Sequence, residues 1–368
     1  LQLSDFAGNI ESQSLFEIRN NENLKTLSVG VDVDSPLVAF FKKVVIEDNS
    51  DLESVHILKA DGSITVSTLE SVSIKNNPNL SLIAFPFVPS SLSIEEVHIH
   101  NNGALGAGIN GITFGDIGAS INLVDIDFDF LLTDNKFDPS DPSLAISLGG
   151  IAAIDKDLLI AGNQNLSSLS FDKLETIGAG SLGGSLLFGV TKDANGALVE
   201  SLNTGAANLS MPALVSVGEE DQFGGDVEVR TDLSGTGNIS LGAAGFGVRG
   251  NVHIQGGNSL DLSALKEVGR DNGAGDKSWD GDLVLPWGAL NGAGLSSLEV
   301  VYGDLMIDGS SDSIDLSFLN LSALTHVGHL PREGVDTFPS LILKGAGLSE
   351  GDGALGKLEE VGNLLIED

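Results

Sequence analysis

The chain has 368 residues, 41% of them apolar but only 5% aromatic, with 47 glycines, 2 methionines and no cysteine. Disulfide scaffolds and thiolate metal sites are therefore excluded. Acidic residues number 52 against 18 basic ones, a formal charge of −34, which leaves no basic stripe for nucleic acid and disfavours anionic membranes and polyanionic glycans.

Glycine this frequent argues against long helices, at roughly 1 kcal/mol per helical position relative to alanine. No apolar run approaches the roughly 18 residues of a membrane span, so an integral membrane protein is not expected. Residues 1–10 lack the basic start and apolar run of a signal peptide, and the chain reads as a mature or excised segment. A core of Leu, Ile and Val with few rings suits the narrow interior of a stacked coil. The acidity suits a saline exterior containing Ca²⁺.

Taken in order, the N-terminal half repeats a strand and an Asn-rich bend. Leu15-Phe16-Glu17-Ile18-Arg19-Asn20-Asn21 is followed by Val44-Val45-Ile46-Glu47-Asp48-Asn49, then by Ser71-Val72-Ser73-Ile74-Lys75-Asn76-Asn77 and Glu96-Val97-His98-Ile99-His100-Asn101-Asn102. An Asp-rich excursion at 124–142 interrupts it. Period-two alternation there puts Asp125, Asp127 and Asp129 on one strand face and Ile126, Phe128 and Phe130 on the other. Crowded carboxylates repel one another unless solvated or bridged by a cation. With Asp134, Asp138 and Asp141 in the following loop, they form a candidate oxygen-ligand set for Ca²⁺. No other cofactor is indicated.

From Asp157 the repeat becomes regular. Asp157-Leu158-Leu159-Ile160-Ala161-Gly162-Asn163 leads into Leu166, Leu169, Phe171, Leu174, Ile177 and Gly178. Gly250-Asn251-Val252-His253-Ile254 and Gly303-Asp304-Leu305-Met306-Ile307 open similar units. Residues 256–262 carry a single Gly-rich stretch like one calcium-binding nonapeptide. The excursion from Arg270 to Asp282 holds Trp279, and Trp287 follows the next strand. Exposed indole rings beside carboxylates grip sugar faces, which makes Trp279 and Trp287 candidate ligand-binding residues. Strand starts fall near 15, 44, 71, 96, 124, 144, 157, 185, 226, 251, 282, 304, 340 and 363, at spacings from 13 to 41.

The consensus is a Gly-Asp or Gly-Asn start, a short strand, a Gly/Asn bend, and leucines spaced by two or three. A triplet strand cannot bury its face alone, whereas parallel neighbours about 4.8 Å apart bury one continuous core. Asn at the bend tolerates left-handed backbone and can bond to backbone or to a neighbouring Asn. These features predict an all-β chain folded as a right-handed parallel β-helix or leucine-rich-repeat-like solenoid. Residues 1–143 would form its N-terminal turns and residues 144–368 would continue one array.

Leu69 to Leu80 resembles a leucine-rich-repeat strand and bend. The Gly-Asp-Leu-Met-Ile and Leu-x-x-Leu-x-x-Val-Gly patterns resemble the receptor L-domain type of repeat, found in receptor ectodomains, fungal wall proteins and exported bacterial proteins. The resemblance covers most of the chain and implies binding or cell-surface organisation rather than catalysis. The missing cysteines set it apart from growth-factor receptors. The last unit, from Leu355, stops after Leu364-Leu365-Ile366 with no cap in view. The expectation is a piece of a longer protein, or an end covered by a partner or a second copy through self-association.

The six histidines are His56, His98, His100, His253, His326 and His329. His98 and His100 share one strand face. No nucleophile elbow, phosphate loop or dinucleotide fingerprint appears in a suitable context. The regular Thr-x-Thr ladder used for ice binding is also missing. The sequence thus points to a secreted or cell-surface module that adheres to a glycan or surface protein, and not to an enzyme. The competing readings are a polysaccharide-active β-helix enzyme and a structural spacer of a longer surface protein.

Overall fold

Apolar residues at every second position dictate short strands with one buried face. In Lys43–Glu47, Val44 and Ile46 are buried while Lys43, Val45 and Glu47 point away from the core. The computed structural model describes residues 15–29, 42–57, 68–85, 92–103, 112–114, 124–126, 129–137, 145–166, 168–180, 183–205, 207–218, 225–231, 237–269, 281–290, 294–309, 320–328, 340–344, 357–361 and 363–367. These residues are all-β and form long parallel sheets, compatible with a β-helix or solenoid. Among them no helix is long and apolar enough to cross a membrane.

Three stacks of parallel strands account for the architecture. The long ladder begins with Leu15–Arg19, Lys43–Glu47, Thr68–Lys75 and Leu92–His100. It continues through Phe130–Thr133, Leu158–Ala161, Leu186–Phe188, Val227–Arg230 and Val252–Gln255. It ends with Leu283–Pro286, Leu305–Asp308, Ser340–Lys344 and Asn363–Glu367. A second ladder runs from Val124–Ile126 through Ile151–Ile154 to Glu360–Val361. It joins the first because Leu92–His100 serves both: Ile94 pairs with Ile126, and Val97 pairs with Phe130. The third is a separate 9-stranded sheet from Thr26–Val29 to Ser259–Asp261.

Between Val124 and Val268 the described strands visit the three ladders in a fixed cycle. From Leu158–Ala161 it passes to Ser168–Ser170 in the third ladder, to Thr176–Ile177 in the second, and back to Leu186–Phe188 in the first. One circuit spans 28 residues between Asp157 and Ser185, 22 between Asp282 and Asp304, and 41 between Ser185 and Asp226. Two expected strand starts sit elsewhere: Val124–Ile126 belongs to the second ladder and Ala145–Ser147 to the third. Triplets of all three ladders look alike in sequence, which is why the shortest spacing read there is not a full circuit.

Inward side chains fill one apolar core running the length of the stack. Each fully buried Leu or Ile there contributes about 1.5–3 kcal/mol. Where the interior admits rings they pack edge to face: Phe130 and Phe171 lie 6.4 Å apart at 83°.

Two side-chain ladders fix the corners. After each long-ladder strand of the first half comes a residue with left-handed backbone and then an asparagine: Asn20 (φ 54°) before Asn21, Asp48 (φ 57°) before Asn49, Asn76 (φ 55°) before Asn77, and so to Asp134 and Asn135. Asn77 Nδ2 donates to Ile46 O, Lys75 O and Asn102 Oδ1, while Asn77 Oδ1 accepts from the backbone N–H and the amide of Asn49. The series runs Asn21, Asn49, Asn77, Asn102, Asn135, Asn163, Asn203. The paired roles of donor and acceptor require an amide, because each bend leaves both a carbonyl and an N–H to be satisfied.

At the opposite end of the strands only an acceptor is needed. Asp129 Oδ1 accepts from Asp157 N, Asp157 Oδ1 from Ser185 N, Ser185 Oγ from Asp226 N, and Asp226 Oδ1 from Asn251 N. Asn251, Asp282 and Asp304 continue the series to Ser340. Any short side chain with an oxygen serves, and Asp, Asn and Ser all occur.

Candidate ligand-binding face

The same alternation that buries one side of the long ladder presents the other side outward. Register places Ser73, His98, Leu131, Leu159, Leu187, Glu228, His253, Val284, Met306 and Ile342 in one outward row. A hairpin from the longest circuit, Val190–Lys192 paired antiparallel with Leu198–Glu200, covers its middle. Val190 joins Leu159, Ala161 and Leu187 in a small apolar cluster against which Leu131 packs. The hairpin turn is set by Asp193, whose Oδ1 accepts from Asn195 N and Ala197 N; those bonds hold its carboxyl below the usual aspartate range. Lys192 ties the hairpin to Asp157 through an ion pair.

Polar groups flank this cover on both sides. Toward the C-terminus, Glu228 is buried, with Arg230 Nε donating to its Oε1 at 2.7 Å and His253 Nδ1 3.2 Å from the same oxygen. Burial pushes the Glu228 carboxyl up. His253 and Arg230 outweigh that push and hold it below the usual glutamate range. Toward the N-terminus, His98 Nε2 lies 2.8 Å from Glu96 Oε1, and His100 Nδ1 lies 2.9 Å from Thr133 Oγ1 and 3.4 Å from Asp134 Oδ2. The row thus offers a carboxylate and two imidazoles, with Arg230 and His100 two residues further along their strands, on either side of an apolar platform. Such a surface can make directional hydrogen bonds to a ligand lying across the strands.

The candidate metal ligands do not converge among the described residues. Asp125 lies in Val124–Ile126, in the second ladder, whereas Asp129 and Asp134 stand at opposite ends of Phe130–Thr133 in the first. Asp129 is engaged with Asp157 N, and Asp134 with His100. Asp127, Asp138 and Asp141 lie outside the described residues. Among the described residues no group of three or more His, Asp or Glu side chains is placed to hold a metal ion. Trp287 opens a short 3-10 turn and packs against the core, while Trp279 lies outside the described residues.

Sequence reading missed the Glu228–Arg230–His253 group. The signal was there: Val-Glu-Val-Arg puts charges at alternate positions of an apolar strand, and Glu228 and His253 hold the same place in consecutive units. Comparison with family models, curated proteins and solved structures finds no match.

Proposed function

We propose that the three ladders are the faces of a right-handed, leucine-rich-repeat-like parallel β-helix. In this reading the protein is an extracellular or cell-surface module that binds a glycan or a surface protein through the outward row of its long ladder. The observation that carries this reading is the Glu228–Arg230–His253 group. A buried, ionised carboxylate with two partners on an outward position spends desolvation energy that a purely structural face would not need. The group contains one carboxylate and it is held ionised, whereas glycoside hydrolysis uses a second carboxyl about 5–9.5 Å away, one of the two retaining its proton. Binding without turnover is therefore the favoured activity.

The test is a glycan array and a surface-protein capture assay with the purified chain, run beside a reducing-sugar assay. Glu228→Gln and His253→Ala are expected to weaken binding at least tenfold, while Ser170→Lys on the third ladder leaves it unchanged. Binding lost equally in all three variants, or sugar turnover abolished by Glu228→Gln, contradicts the reading.

A further inference from the structure

Five Asn-x-Ser triplets occur in the chain, at Asn79-Leu80-Ser81, Asn165-Leu166-Ser167, Asn208-Leu209-Ser210, Asn238-Ile239-Ser240 and Asn320-Leu321-Ser322. Such a triplet accepts an N-linked sugar when it reaches the compartment where transfer occurs, and the folded protein must then carry the sugar on its surface. What separates the five is the work their amides already do. Asn79 Nδ2 donates to Ser50 O at 2.7 Å and Ser81 Oγ donates to Glu53 O at 2.8 Å. Asn165 Nδ2 donates to Phe137 O at 3.2 Å. Asn208 Oδ1 holds Asn238 N at 2.7 Å. A sugar on Asn79 or Asn165 would disturb a bond that joins neighbouring circuits.

Asn238 and Asn320 are different. Asn238 is exposed on the third ladder, and Asn320 is half-buried beside the exposed Ser322. Among the described residues neither Nδ2 group donates a hydrogen bond. Leu321 and Ile239, the middle residues of the two triplets, are buried, so each Asn and Ser flanks an anchored side chain and faces outward. At Asn320 the pair is already in contact: Ser322 Oγ donates to Asn320 Oδ1 at 2.8 Å. Asn208 is the register neighbour of Asn238, since Leu209 pairs with Ile239. At a strand spacing of about 4.8 Å two sugars cannot stand side by side.

We propose that Asn238 and Asn320 are acceptor sites for N-linked glycan. The donor is a sugar carried on a lipid or nucleotide pyrophosphate. The amide Nδ2 forms a bond to the anomeric carbon, the bond from that carbon to the pyrophosphate oxygen breaks with its electron pair, and one amide proton passes to a base on the transferase. The inference rests on the extracellular reading above. It deepens that reading by assigning glycan cover to Asn238 on the third ladder and to Asn320 outside the strands, leaving the outward row of the long ladder bare for its partner, since none of the five triplets lies in a strand of the long ladder.

The test is secretion of the chain from a eukaryotic host behind a supplied leader, with a marker acceptor triplet appended to report entry into the lumen. Amidase release in heavy-oxygen water, followed by peptide mass mapping, is expected to label Asn238 and Asn320. Asn238→Gln and Ser322→Ala should each remove one glycan mass step without changing the melting temperature of the deglycosylated protein. A chain whose marker is modified while Asn238 and Asn320 are not overturns the proposal. Ligand binding by unglycosylated protein is measured separately, so loss of the glycan sites and loss of the binding reading are distinguishable.

Discussion

Asn77 Nδ2 donates to Asn102 Oδ1 at 3.0 Å, and both amides are buried. Each amide in that line from Asn49 to Asn163 is at once a donor to one circuit and the acceptor from another, so the row transmits register along the stack as well as closing each bend. Removing one amide takes the acceptor from a backbone N–H of one neighbouring circuit and a donor from its carbonyls.

Replacing Asn77 by Ala strands Asn49 N and takes one donor each from Ile46 O and Lys75 O, the latter keeping its bond from Asp48 N. At about 1–3 kcal/mol for a buried group left unmet, the expected loss is about 1–3 kcal/mol, read from the denaturant midpoint. Asn77→Asp should be worse still, because a carboxylate would face two carbonyl oxygens. A loss under about 1 kcal/mol for either variant would show that the row is not structural.

The acceptor row on the other edge predicts the opposite tolerance. Asp129 has its carboxyl raised, first by burial and then by the charge of Asp157, against the lowering effect of the Asp157 N–H. A folded carboxyl raised above its unfolded value binds more protons in the native state, so stability falls as pH rises through the folded value. Asp129→Asn keeps the acceptor oxygen and removes that slope. The variant should match the parent at low pH and be more stable by under about 1 kcal/mol above the carboxylate range. Destabilisation at neutral pH would contradict this.

Glu228 has the reverse sign. Its folded carboxyl is lowered, so the contribution of His253 and Arg230 is present above the ordinary glutamate range and disappears as pH falls through the folded value. Thermal melts of Glu228→Gln should therefore show the largest deficit at neutral pH and converge on the parent in acid. Parallel pH profiles would contradict the pairing.

The hairpin cover is tested by comparing Leu187→Ala with Val199→Ala. Leu187 is 1% exposed beneath the hairpin and Val199 is 45% exposed on it. The first change should cost about 2–5 kcal/mol and raise apolar-dye binding, whereas the second should stay within about 0.5 kcal/mol. Equal effects would mean that the hairpin does not seat on the ladder.

Much of this was readable from residues. Val44 and Ile46, or Val252 and Ile254, announce their strands by alternation, and the Asn-Asn bends announce a left-handed corner with a buried amide. The second and third ladders were not separable, because Leu169 in Ser168–Ser170 and Ile177 in Thr176–Ile177 read as leucine spacing instead of strands. Short triplets carry too little pattern to name their ladder, and only pairing with the previous circuit does so. The Asp125-to-Phe130 alternation misled for the same reason: the sequence looks continuous, while Ile126 and Phe130 pair into different ladders. The Glu228 group was hidden because His253 lies 25 residues from Glu228 and meets it only through register.

Successive strands of the long ladder pair in register along one line. With no cysteine in the chain, Val45→Cys and Met306→Cys can be spin-labelled cleanly on the outward row. Nine strand spacings of ~4.8 Å separate them along the chain of pairings, and pulsed dipolar spectroscopy should return a narrow distribution near about 43 Å. A broad distribution, or a separation of about half that value, would contradict the stack and with it the row of side chains on which the proposed binding depends.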